Sequence, residues 1–362
     1  GLAADIALFT NLFFLFGVLA SIGAVLTLPG IAGIVLTMGM SVDANVLIYE
    51  RIQEELRSGK GMKLAVKEGY KQAYSAIIDG NVTTLLTGFI LYSFGEGPIK
   101  GFATTLIIGI FTSLFCAIFI TRLILDSAVN KSENVKFTTP FTANWLRDIH
   151  FPFLQRRKVG YIVSGIITVV CVASLFTKGL DKGIDFVGGR TYTVVFDKPV
   201  QVESIAESLA VVYGSAPEVK TFGGDNQVRI TTKYRITDEG TEADDEVETL
   251  LYEGLKSYLP NGTTKEEFLS ENRQMSQKVG PAVAEDVTRA AVWSVIFALI
   301  VIFVYIMVRF SNWWYGAGAV LGLAHNTIVV LGMFSLLSGL LPFSLEIDQA
   351  FIAAILTVVG YS

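Results

Sequence analysis

Long apolar runs, separated by short polar breaks, set the pattern of this chain. Gly1 to Leu28, Ile31 to Tyr49, Gly80 to Phe94, Phe102 to Leu125, Val159 to Phe176, Ala290 to Val308, Ala317 to Leu337 and Leu345 to Ser362 are each apolar enough to predict a helical span. About 20 apolar residues cross the hydrocarbon at about 1.5 Å per residue. The first run reads as a helix already under way and the last as one cut short, so the chain is expected to be a fragment. Pro29-Gly30 breaks the first run from the second.

Two stretches between the runs differ in character. Glu50 to Asp79 is charged and weakly amphipathic, with Leu64, Tyr70 and Ala73 on its apolar side, and predicts one or two interfacial helices on the cytoplasmic side. Residues 127–158 hold no long apolar run and end on Arg156-Arg157-Lys158, which reads as a cytoplasmic linker between two membrane halves. Residues 178–278 have the pattern of a small external α+β domain. Thr191 to Phe196 and Gln227 to Thr232 read as strands, and Glu203 to Ala210 and Asp244 to Tyr258 as helices. The order suggests a ferredoxin-like strand–helix–strand–strand–helix–strand unit whose last strand is not legible. The acidic tract Thr237 to Glu248 reads as a loop before the second helix. The expected organisation is therefore membrane segments over 1–126, the linker over 127–158, a helix over 159–177, the external domain over 178–278 and further membrane helices over 279–362. The fold class is an α-helical polytopic membrane protein.

The chain also repeats. A shift of 321 residues places Gly1-Leu2-Ala3 on Gly322-Leu323-Ala324, Asp5 on Asn326, Ile34 on Ile355, Gly39 on Gly360 and Ser41 on Ser362, without a gap. Such spacing predicts a pseudo-symmetric bundle of two halves.

Composition supports the membrane reading: charged residues are 17 %, against about 25 % in soluble domains. Residues 50–79 carry six Lys or Arg and residues 122–158 carry seven, which places both segments inside. The 178–278 domain, with 18 Asp and Glu against 12 Lys and Arg, then lies outside. The net charge of −5 comes mostly from that domain and gives no ground for nucleic-acid binding. Cys116 and Cys171 both fall in apolar runs and read as small buried hydrophobes.

Chemistry centres on Asp43, an acid within an apolar run. An ionisable side chain at that depth costs roughly 2.5–3.5 kcal/mol and is tolerated where it faces a bundle interior or a water path. Three readings stand: a proton carrier, a structural ion pair or hydrogen bond, and a sodium ligand helped by oxygens from Ser41, Asn45, Thr83 and Thr84. Protonation would remove the cost of the charge and let helices repack. Gly39 lies one turn before Asp43 on the same face, where a small residue lets a partner helix approach. Asp5 and Asn11 are expected to face neighbouring helices and serve helix packing. His325 and Asn326 form a possible second polar site, with a satisfied buried histidine as the plainer reading. Arg309 reads as a snorkelling residue at a membrane edge. GIDFVGG, residues 183–189, lacks the GK[ST] of a phosphate loop and reads as a turn where the chain leaves the membrane. No zinc spacing, nucleophile elbow or cofactor fingerprint is present, so neither an enzyme nor a cofactor is expected.

Several motifs carry a family resemblance. GMSVDANVLIYERIQEEL (39–56) and the run from Gly80 to Gly109 resemble the SecD protein-export subunit. GIDFVGGR (183–190), VGPAV (279–283), GAGAVLGLAHN (316–326) and ILTVVGYS (355–362) resemble SecF. Together they span nearly the whole chain, joined as in the fused SecDF form. The resemblance implies the resistance–nodulation–division superfamily and its type of bundle in the bacterial inner membrane. It also implies an accessory of the Sec translocon that uses the proton motive force to help draw preproteins outward. Implied partners are the translocon channel and its accessory membrane proteins, unfolded preprotein on the external side, and lipid. By resemblance Asp43 is the proton-path aspartate and Thr83-Thr84 the threonine pair of the following helix. The SecF motif has His-Asp where this chain has His325-Asn326. The rival readings are a proton-driven exporter of lipid or drug in the same superfamily, and a non-transporting membrane scaffold.

Overall fold

In the computed structural model, residues 1–95, 97–131, 135, 137, 152, 155–238, 240–341 and 345–361 are described. Most of the 127–158 linker, and Ser362 of the repeat, lie outside them. Seven helices among the described residues are long and apolar enough to cross a membrane. The chain divides into two compact units. One comprises Gly1–Ile166, Trp293–Thr327 and Ala353–Ser362; the other comprises Ile167–Val292 and Ile328–Ile352.

The first unit is helical. Its helices are α1 (Leu2–Ser21), α2 (Leu28–Arg57), α3 (Met62–Phe94), α4 (Pro98–Phe115) and α5 (Thr121–Lys131), with a π-helical turn at Cys116–Ile120 between the last two. Helix α2 packs against α3 and α4 on a face carrying Gly33, Thr37, Ser41, Ala44 and Ile48. The approach to α4 is close enough that a Cβ on Gly109 would lie 2.5 Å from Thr37 Cγ2, the small-residue packing that membrane helices favour. Ile48 and Ile52 of α2, Ala65, Val66, Tyr70 and Ala73 of α3, and Leu125 and Val129 of α5 form one apolar cluster.

The interfacial helices expected over 50–79 are absent from this unit. Helix α2 runs on to Arg57, a turn passes Gly59 at φ +89, and α3 is continuous for 33 residues from Met62. The charged stretch is thus the two ends of a helical hairpin. Glu55, nearly buried, accepts hydrogen bonds from Lys60 and Gln72 across the turn. Lys63, Lys67 and Lys71 share the exposed side of α3 while Val66, Tyr70, Ala73 and Ile77 are buried. An amphipathic stripe alone cannot separate a helix lying on a membrane from one packed on a neighbour.

Helix α1 buries Ala7, Asn11, Leu15 and Leu19, one residue per turn. Asp5 lies off that stripe and is exposed, so it does not serve helix packing as expected. Asn11 does face inward, at 0 % exposure, but neither amide atom has a hydrogen-bond partner among the described residues.

The second unit contains the α+β domain. After α6 (Arg157–Thr177) and the single turn α7 (Ile184–Val187) come β1 (Gly189–Val195), α8 (Val202–Tyr213), β2 (Glu218–Phe222), β3 (Gly224–Thr232), α9 (Thr241–Leu255), a short α10 (Lys265–Glu267) and β4 (Arg273–Val279). The antiparallel sheet has order β2-β3-β1-β4, the ferredoxin-like arrangement, and β4 is the strand the sequence pattern hides. Tyr192, Val194 and Phe196 alternate toward a core shared with Ile205 and Leu209 of α8 and Val247 and Leu251 of α9. The acidic tract read as a loop mostly forms the first turns of α9. Carboxylates suit that end of a helix, where the dipole is positive.

Gly188 and Gly189 have φ of +74 and +156, and a Cβ on Gly189 would lie 2.9 Å from Ile184 Cγ2. The turn reading of GIDFVGG therefore has a steric basis. Asp185 in that motif accepts a hydrogen bond from the Gln349 amide at 3.1 Å. Burial raises its pKa above the ordinary carboxylate range, with nearby Asp348 adding to the rise against the lowering effect of that amide.

Three helices complete the chain: α11 (Pro281–Phe310), α12 (Trp313–Leu337) and α13 (Gln349–Tyr361). The last is shorter than the span expected from Leu345. The repeat extends to helix capping. Thr27 Oγ1 accepts from the Gly30 amide before α2, and Asp348 Oδ1 accepts from the Phe351 amide before α13, each pair again offset by 321 residues.

Candidate functional site

Asp43 is on the side of α2 opposite its packed face. It lies two positions from buried Ser41, about 200° of helix rotation, and Asp43 is exposed where the sequence led us to expect burial. It faces a cavity of about 310 Å³ lined also by Met40, Leu47, Glu50, Asn81 and Tyr361. The Tyr361 hydroxyl donates a hydrogen bond to Asp43 Oδ2.

Thr83 and Thr84 reach the same turn of α13. Their hydroxyls lie 2.9 and 3.1 Å from the Gly360 carbonyl oxygen. The predicted acid and the predicted threonine pair therefore meet through Gly360-Tyr361, the segment that the repeat pairs with Gly39-Met40. A Cβ on Gly360 would lie 2.2 Å from Thr87 Oγ1, so only glycine allows α3 and α13 this close. Gly360→Leu is expected to cost the contact about 1–3 kcal/mol by overpacking. The rate at which a hydrophobic carbodiimide labels Asp43 should rise with it, read by mass spectrometry.

Asn45 does not join this group. Its side chain is buried on the packed face, where Nδ2 donates to the Ser41 carbonyl at 3.2 Å and Oδ1 accepts from Thr121 Oγ1 at 2.7 Å. Its place is beside the π-helical turn, holding α2 to α5. The reason is periodicity: residues two apart on a helix face nearly opposite ways.

His325 Nε2 lies 2.8 Å from Ser164 Oγ, and Nδ1 lies 3.4 Å from Asn326 Oδ1, which agrees with a satisfied histidine. Asn326 lines a second cavity of about 370 Å³ together with Asp79, Thr83, Tyr305 and Gly360. Arg309 does not merely snorkel. Its Nε donates to Asp79 Oδ1 at 2.8 Å and Nη2 to Ser75 Oγ at 2.5 Å, and the Tyr305 hydroxyl donates to Asp79 Oδ1 at 3.0 Å. Asp79 and Tyr305 were not singled out from sequence. The available signal was the spacing of Ser75, Asp79, Thr83 and Thr87, a polar residue at every fourth position of α3.

In the second unit the carboxylates of Asp181, Glu218 and Glu346 converge to within 4.8 Å. Lys220 Nζ stands among them at 2.6–2.7 Å. Burial pulls the lysine pKa down, yet these hydrogen-bonded acids raise it on balance above the ordinary value. The group is an ion-pair network centred on Lys220, with Arg229 Nη1 3.7 Å from Glu346 as a second cation.

The chain matches the family described as protein export membrane protein SecD/SecF, C-terminal, over residues 1–131 and 262–362, and the SecD/SecF GG motif over residues 173–200. Protein translocase subunit SecDF of Brucella abortus is 33 % identical over the whole chain, which covers 45 % of that protein. SecDF of Bacillus subtilis is 31 % identical over the whole chain and 48 % of its own length. SecD of Rhodothermus marinus is 60 % identical over 36 % of this chain and 21 % of its own. The crystal structure of SecDF from Thermus thermophilus is similar with a TM-score of 0.84 at 32 % identity, covering all of this chain and 46 % of that one. The chain thus spans about half the length of the SecDF relatives it matches.

Proposed function

The chain belongs to the SecD/SecF family of protein-export membrane proteins, and on that premise we propose that it is part of an accessory of the Sec translocon. In this reading the proton motive force, acting through Asp43, promotes translocation of unfolded preprotein across the inner membrane and its release outside. The observation that carries the reading is the convergence of Asp43 and the Thr83-Thr84 pair on Gly360-Tyr361. A carboxylate that accepts a hydrogen bond from a hydroxyl changes that bond when it takes up a proton, and the pair sits where a first-half helix meets a second-half helix. A change in the charge of Asp43 alters its bond to Tyr361 and so biases the packing of α13 on α2 and α3. One proton crossing 100 mV supplies about 2.3 kcal/mol, enough to shift a bundle rearrangement of that size. The family's description by protein export favours this reading over a lipid or drug exporter.

Proton coupling is tested in inverted membrane vesicles holding the full-length protein. Dissipating the proton gradient with nigericin plus valinomycin is expected to remove the accessory's contribution to translocation, while dissipating a sodium gradient leaves it. The reverse result would make sodium the coupling ion, and insensitivity to both would favour a scaffold.

A further inference from the structure

Asp79 and Arg309 stand outside the role given to Asp43, yet they share a helix face with its partners. Ser75, Asp79, Thr83 and Thr87 occupy every fourth position of α3 and so form one stripe along it. The stripe is read by two helices of the second half. Its lower part meets α11, where Tyr305 and Arg309 are themselves one turn apart. Arg309 grips Asp79 through both carboxylate oxygens, at 2.8 Å each, and reaches Ser75. The upper part meets α13, where Thr83 bonds the Gly360 carbonyl and Thr87 fills the space a side chain at Gly360 would need. Asp79 and Thr83 also line one cavity together with Tyr305 and Gly360. A helix with two such contacts on one stripe cannot rotate or slide at one without moving the other.

We propose that the Asp79–Arg309 pair is an ionic latch that sets the register of α3, and that both are positioning residues for the Asp43 site. The pair acts through Thr83 and Thr84: while it holds, the threonines meet Gly360, and Tyr361 is presented to Asp43. When it opens, α3 is released to turn, and the hydroxyl is withdrawn from the acid. The functional part of this inference rests on the proton-coupling reading of Asp43; the geometric part does not.

The test uses the full-length protein in a depletion strain, with equal membrane levels verified. The variants are Asp79→Asn, Arg309→Gln, the charge swap Asp79→Arg with Arg309→Asp, and Asp43→Asn as reference. Two quantities are read: the export of a secreted reporter that depends on the proton motive force, and the rate of carbodiimide labelling at Asp43. Each single substitution is expected to lower that export, and to raise labelling, by about threefold or more, the range of coupling between residues in one network. The swap is expected to bring both back toward wild type, which residues of separate structural roles would not do. Wild-type labelling in both single variants would overturn the latch. So would a swap that labels and exports no better than the singles. If Asp43→Asn exports normally, the proton reading fails, and the labelling rates still decide the latch.

Discussion

Replacing Asp43 by Asn is expected to remove the force-dependent part of export, a fall of up to about 50-fold. That factor is the rate equivalent of the 2.3 kcal/mol that one proton gains across 100 mV. Asn is nearly isosteric and its Oδ1 still accepts the Tyr361 hydroxyl, so the packing of α2, α3 and α13 around residue 43 should persist. What Asn lacks is a proton to exchange. The measurement is export of a secreted reporter in a depletion strain, with membrane abundance checked. Normal abundance with lost export would mark Asp43 as the coupling group. Unchanged export would reduce it to a packing residue and would sink the proton-coupling proposal.

Arg190→Met should destabilise the small α+β domain by about 3 kcal/mol. Arg190 is 2 % exposed, yet its guanidinium makes four hydrogen bonds. Nε and Nη2 donate to Asp244 Oδ1 at 3.0 and 2.6 Å, and Nη1 to the carbonyls of Tyr234 and Arg235 at 2.7 and 3.1 Å. It thereby pins the start of β1 to the turn before α9 and to the first turn of α9 itself. Met fills much of the volume but removes four hydrogen bonds at once; Asp244 keeps Lys278 and the Arg235 carbonyl keeps the Asp238 amide. Breaking a buried pair from one side costs about 3–5 kcal/mol, and the low end applies because Asp244 is partly exposed and rehydrates. Hydrogen exchange at the β1 and β3 amides measures the loss; unchanged protection would refute the assignment.

The same pair gives the domain an acid limit. Lys278, and then Arg190, hold the Asp244 carboxyl below the ordinary carboxylate range against the opposing effect of partial burial. A depressed folded value contributes stability above the unfolded value of about 3.9 and loses it as pH falls through the folded one. Protection in β1 should therefore be flat near neutrality and decline only below about pH 4.

The membrane half was legible wherever one residue type has one meaning. Apolar runs near 20 residues became helices, and the offset of 321 reappears in the caps at Thr27 and Asp348. Alternation in Thr191 to Phe196 and Gln227 to Thr232 located two of the four strands. β4 escaped because Arg273–Val279 is an edge strand, mostly polar on both faces, and has no alternation to read.

The site was legible in its residues but not in its grouping. Asp43, Thr83 and Thr84 stand out as polar positions in apolar surroundings. Asn45 stands out equally and belongs elsewhere, since two positions along a helix reverse the facing. Arg309 looks like a lone cation at a membrane edge until α3 supplies Asp79, 230 residues earlier in the chain.

By itself, then, the sequence determined what is local or periodic: the apolar runs that became helices, the α+β order of the small domain and the repeat that relates the two ends. These follow from hydropathy, from the 3.6- and 2-residue periods and from capping, all of which act within a few residues. Only the tertiary structure decided which side chains meet. The partner of Asp43 is Tyr361, that of the threonine pair is Gly360 and that of Asp79 is Arg309, each held by the packing of helices far apart in the chain. Such contacts depend on helix rotation and register, and no local interaction encodes those.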